Sequence, residues 1–97
     1  KERLEGELSR SALETLSIIL WKEKVSRSGI DYIRGVNSAF ALRTLLIRGL
    51  VERVQDPKDA RVFLYSATID LYKHLGISSS KDLPKYDEMK KELKEYD

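Results

Sequence analysis

Arg34, Arg43, Arg48, Lys58 and Arg61 gather in one short stretch of the chain, around what reads as a turn, a helix and a hairpin tip. Cations so placed are what a duplex-binding module uses to hold phosphate oxygens and, from the helix, to reach base edges. Arg34, Arg48, Lys58 and Arg61 are therefore candidate nucleic-acid contacts, with Arg43 among them on the helix. That helix also carries Phe40 and Ile47. At about 100° per residue, Phe40, Thr44 and Ile47 share one side, flanked by Arg43 and Arg48. Ala41, Leu42, Leu45 and Leu46 cluster on the other side, with Gly49 in the same sector. Two large apolar groups on the outward side suit a protein surface better than base edges. Phe40, Arg43, Thr44 and Ile47 are thus candidate partner-binding residues, with Ile18 and Trp21 as secondary candidates.

Other chemistry finds little support. The chain has one histidine, His74, and no cysteine. No second histidine or carboxylate pair stands at ligand spacing around His74, so neither a metal site nor general acid–base work is expected of it. There is no phosphate-binding glycine loop and no nucleophile–base–orienter set. The expectation is a binding module without cofactor or metal, not an enzyme.

These side chains need elements to hold them. Ser9 or Ser11 starts a first helix, and Ser11 with Glu14 makes a capping-box pattern. Leu13, Leu16, Ser17 and Leu20 fall on one face of it, expected to enter the core. Ile18 lies roughly opposite that face and Trp21 between the two. Val25-Ser26 reads as a short extended connection, after which Ser26 caps a second helix with Ile30 and Ile33 turned inward. Gly35 suits the left-handed position that ends a helix, and Asn37 or Ser38 caps the third. So short a connection between two helices marks a helix-turn-helix. Leu50–Gln55 and Val62–Ala67 read as an antiparallel pair, with Asp56–Arg61 as turn chemistry at the tip. Its two aspartates offset Lys58 and Arg61, so a solvated loop is expected. Thr68 caps a fourth helix through Ile69, Leu71, Tyr72 and Leu75, ended by Gly76. Ser78–Ser80 reads as a flexible or capping stretch, and Asp82-Leu83-Pro84 as a turn. From Tyr86 onward the chain is charged and helix-prone, with Met89 and Leu93 as apolar anchors.

The fold class expected is α+β, mainly α. It is a winged helix-turn-helix with a three-helix core, a two-stranded β-wing and an additional C-terminal helix. Residues 1–8 read as a linker remnant, 9–77 as the winged-helix domain and 78–97 as a partly helical C-terminal extension. Ninety-seven residues suit one small domain. Apolar runs such as Ile18–Trp21 fall far short of the roughly 20 residues a membrane span needs. No signal peptide is visible, and the lack of an initiating methionine suggests a fragment. With 18 basic and 16 acidic residues the net charge is only +2. That is a modest excess for a dedicated duplex binder.

The same residues carry a family likeness. Leu8–Ile19, then Ile33-Arg34-Gly35-Val36-Asn37-Ser38, then Leu42–Leu50 resemble the second, C-terminal winged-helix domain of segregation and condensation protein B. Leu64-Tyr65-Ser66-Ala67-Thr68, Leu75-Gly76-Ile77 and Asp82-Leu83-Pro84 agree in the same order, so the likeness spans roughly residues 8–84. The resemblance implies a non-enzymatic subunit of the bacterial condensin built on structural-maintenance-of-chromosomes (SMC) ATPases. It also implies binding to the kleisin subunit ScpA and, through it, to the ATPase heads, in a cytoplasmic, nucleoid-associated protein. The family's first winged-helix domain, which supplies much of its dimer contact, is not in this sequence. A monomer is expected here where the full protein forms a homodimer, with weak or indirect DNA contact. The family's wing has a Gly-Arg-Pro element where Ala60-Arg61-Val62 stands, so only Arg61 is retained. The alternative reading is a DNA-binding winged-helix transcriptional regulator.

Overall fold

The structure is a computed structural model, in which residues 8–84 and Asp87 are described. Residues 1–7 of the expected linker, and Met89 and Leu93 of the expected terminal helix, lie outside the described residues. The order of elements is α1 (Arg10–Lys22), β1 (Val25–Ser26), α2 (Arg27–Arg34), α3 (Ala39–Ile47), β2 (Val51–Asp56), β3 (Asp59–Ala67) and α4 (Ile69–Leu75). A 3₁₀ turn over Ser80–Asp82 follows. This is the expected winged-helix arrangement, a helical core with a hairpin beside it.

The helix starts follow the caps. Ser9 accepts a hydrogen bond from the Ala12 N–H, Ser26 from Gly29 and Thr68 from Leu71, each at 3.1 Å. Of the two serines proposed for α1, Ser9 is the cap. Ser11 and Glu14 do not form the expected box, because both side chains turn to Arg34 instead. Helix ends follow the glycines. Gly35 closes α2 at φ 76°. Beyond α3, Gly49 at φ 72° lets the Leu50 N–H reach back to the Leu45 carbonyl at 3.0 Å. A side chain at either glycine would force an L-residue into the left-handed region.

The buried face of α1 includes Leu16 and Leu20, as expected, but turns away from Leu13 and Ser17. Ala12, Thr15, Leu16 and Ile19 repeat at helical spacing and are buried, while Leu13 is 51% exposed and Ser17 lies outside. Thr15 can sit in the core because its hydroxyl donates to the Ser11 carbonyl at 2.8 Å. Ile19, Ile30 and Leu45 are fully enclosed and form the centre of the core. Burial of each such side chain contributes about 1.5–3 kcal/mol. Ile18 joins the same cluster, with Val25, Tyr65 and Leu71 among its members. On α4 only Leu71 is buried; Tyr72 packs partly against the core, Ile69 is 71% exposed and Leu75 is also exposed.

The sheet has three strands rather than two, in the order β1-β3-β2, all antiparallel. Val25 pairs with Tyr65 and Val51 with Ala67, so these four share the buried face. Beyond Tyr65 the hairpin leaves the core. There Arg53 stacks its guanidinium over the Phe63 ring at 4.5 Å, covering an aromatic the core does not reach. The hairpin is also longer than expected, because only Pro57 and Lys58 form the turn. Asp56 and Asp59 accept the Lys58 and Arg61 N–H groups at 2.9 and 3.0 Å, which holds the tip closed. At the other end, Leu8 and Leu83 pack on the core, and buried Ser80 bonds the Tyr72 hydroxyl at 2.9 Å. The core thus draws on residues on both sides of the 9–77 stretch.

Candidate protein-docking face

The site is built on the α2–turn–α3 unit. Asp31 on α2 accepts the Ser38 N–H at 2.8 Å, and Asn37 accepts the Ala39 N–H at 2.7 Å, so the chain enters α3 through two side-chain acceptors. Ser38 occupies the cap position and is fully buried, but its hydroxyl accepts Arg34 Nη1 at 3.1 Å. Ala41, Leu42 and Leu45 fix the inner side of α3 against α1. The outer side follows from that anchoring. Phe40 is 82% exposed and Ile47 59%, Arg43 is exposed and Thr44 half-buried. The structure therefore places Phe40, Arg43, Thr44 and Ile47 together on one outward side, as the helical spacing predicted. Tyr32 on α2 and Val36 in the turn are also exposed. Neither was picked out from sequence, although an aromatic at 32 beside the inward Ile30 and Ile33 was a usable signal.

Two candidates change role. Ile18 is only 8% exposed and belongs to the core, so it is not a partner contact. Arg34 is not a nucleic-acid contact. Its side chain is 8% exposed, and Nη2 donates to Ser11 Oγ at 3.0 Å and Glu14 Oε1 at 3.4 Å. A guanidinium spent on α1 and α3 cannot reach a phosphate. Trp21 is half-buried near the end of α1.

The remaining cations are dispersed. Arg48 is half-buried at the end of α3, and Lys58 is exposed at the wing tip. Arg61 pairs with Asp59, Nε to Oδ1 at 3.0 Å. Hydrogen bonds from the Arg61 side chain, and then from its backbone N–H, hold the Asp59 carboxyl below the usual carboxylate range; the same pair raises the Arg61 guanidinium. His74 is exposed and lines, with Leu13, Leu50, Leu75, Arg48 and Asp70, a groove of about 690 Å³. Among the described residues no group of three or more His, Cys, Asp or Glu side chains is placed to hold a metal ion. Nor is any helix among them long and apolar enough to cross a membrane.

Helix-turn-helix and three-stranded sheet define a winged-helix domain, here with an apolar outer side on α3. Its backbone is similar to that of MarR, at a TM-score of 0.62 and 18% identity over 97% of this chain and 64% of that one, a likeness of fold alone. Residues 1–86 match the family model described as segregation and condensation complex subunit ScpB. Segregation and condensation protein B of Clostridium tetani is 45% identical over 93 residues, covering 93% of this chain and 48% of the relative. That of Lactococcus lactis subsp. cremoris strain MG1363 is 44% identical over 89 residues, covering 91% and 47%. The crystal structure of ScpB from Mycobacterium tuberculosis superposes with a TM-score of 0.68 at 34% identity, over 75% of this chain and 46% of that one. The chain belongs to the segregation and condensation protein B family, and spans about half the length of the curated relatives it matches. The family is described as a subunit of the segregation and condensation complex.

Proposed function

We propose that this domain docks the kleisin subunit ScpA of an SMC condensin through the outer side of α3. The observation that carries the reading is the exposure of Phe40 and Ile47, at 82% and 59%, on the side of α3 where a base-reading helix presents polar groups. An amphipathic partner segment covering them gains about 25 cal/mol per Å² of apolar surface removed from water. Arg43 and Thr44 between them supply the polar fringe that sets register. Through the kleisin the domain is tied to the ATPase heads and to the nucleoid, and the full-length protein acts as a homodimer. The domain does no chemistry of its own in this role. Co-expression with the kleisin tests it: wild-type chain should co-purify, and Phe40→Asp should not. Co-purification of Phe40→Asp in undiminished yield would sink the proposal.

A further inference from the structure

The chemistry of Arg34 is unusual for a charged residue beside a surface turn. It ends α2, its side chain is only 8% exposed, and its Nε finds no hydrogen-bond partner among the described residues. Burying a guanidinium so deeply is costly unless its other donors are well used. They are used on two different helices. Nη1 reaches the Ser38 hydroxyl at the start of α3, and Nη2 reaches Ser11 and Glu14 on α1. Ser38 is therefore held twice, its N–H by Asp31 of α2 and its hydroxyl through Arg34 by α1. Phe40 stands two residues further on. A planar fork offers two separate nitrogens in fixed geometry for two such sites, where a lysine must serve both from one nitrogen.

We infer that Arg34 is a positioning residue for the docking face: with Glu14 it fixes the first turn of α3 relative to α1, and so sets where Phe40 is presented. This rests on the reading of α3 as the kleisin-binding element. Glu14 is suited to a supporting part, since its carboxylate also meets Arg10 at 3.6 Å and is 52% exposed. It can be altered without stripping the guanidinium of acceptors, because the Ser11 and Ser38 hydroxyls still accept from Nη2 and Nη1.

The test uses Arg34→Gln, Arg34→Lys and Glu14→Gln in the whole chain, with two readouts. One is calorimetric affinity for the purified kleisin subunit. The other is amide hydrogen exchange at Leu42, whose N–H donates to Ser38 at 2.9 Å, against Tyr72 in α4, whose N–H donates to Thr68 at 3.2 Å. Arg34→Gln should weaken binding about fivefold, inside the roughly 2- to 30-fold range of residues that act without touching the ligand. It should also speed exchange at Leu42 more than at Tyr72. Glu14→Gln should do both to a lesser degree and combine non-additively with Arg34→Gln. Arg34→Lys should recover part of each effect. A loss of affinity with Leu42 exchange unchanged would make Arg34 a direct contact and overturn the inference. Equal acceleration at Leu42 and Tyr72 would reduce it to a general brace, and faster Leu42 exchange with full affinity would sever positioning from docking. Should Arg34→Gln fail to fold, Glu14→Gln carries the same comparison. Phe40→Ala measured alongside separates the two ideas: full affinity there removes the face as the kleisin site, while the exchange data still judge the clamp.

Discussion

Ile18 and Phe40 make opposite demands on a thermal melt, and the contrast can be worked from the structure. Ile18 is 8% exposed within the core cluster, and Phe40 is 82% exposed on α3. Truncating a buried isoleucine to alanine removes its transfer free energy and leaves a cavity, together about 2–5 kcal/mol. Ile18 retains a little solvent contact at the end of α1, which allows some relaxation and argues for the lower part, about 2–3 kcal/mol. In a domain of this size each kcal/mol moves Tm by about 4–8 °C, so Ile18→Ala should melt about 10–20 °C below wild type. Phe40→Ala removes a ring that is mostly in water already, and should stay within about 0.5 kcal/mol. Circular dichroism melts of both variants under one buffer decide it. An Ile18→Ala melt within two or three degrees of wild type would show that Ile18 is a surface residue and that α1 is rotated from the position described, contradicting the burial on which the α3 face depends.

Three further outcomes follow from other parts of the molecule. Gly35→Ala places a Cβ where nothing lies within 4 Å but where φ is +76°, so it should cost about 1–2 kcal/mol through backbone strain alone, read as a lowered urea midpoint at unchanged slope. The Asp59 carboxyl is lowered by Arg61, so its pairing favours the folded wing at pH above the ordinary carboxylate value of about 3.9 and is lost as pH falls through the lowered folded value. Carbon-detected NMR titration should find Asp59 ionising below that value, and Arg61→Ala should bring it only part of the way back, because the backbone N–H at 61 still donates to the carboxylate; the pair is exposed, so the melt at neutral pH should not move. In a gel-shift titration against generic duplex, the burial of Arg34 and the pairing of Arg61 should leave no shift at low salt, whereas micromolar binding with a steep salt slope would favour the regulator reading.

The helix boundaries were legible because they depend on neighbours in sequence. Ser26 and Thr68 read as caps and Gly35 and Gly76 as stops, and each occupies that place. What failed depended on distant partners. Leu13 reads as inward because nothing local shows that it faces an open groove. β1 is two residues long, too short for any alternation to show, and becomes a strand only because β3 passes beside it. Arg34 looked like a surface cation for the same reason. Its partners on α1 lie 20 and 23 residues away, and only the folded chain brings them together. The outward side of α3 was readable because helical spacing alone separates Phe40 and Ile47 from Leu42 and Leu45.

The central claim is that α3 presents a protein-docking surface, and calorimetry of the double variant Phe40→Ala with Ile47→Ala against the purified kleisin subunit tests it most directly. Removing two apolar anchors of this kind should weaken binding by about 2–4 kcal/mol, roughly 30- to 1000-fold, with the melt of the free domain nearly unchanged. Wild-type affinity in a folded double variant would contradict the account.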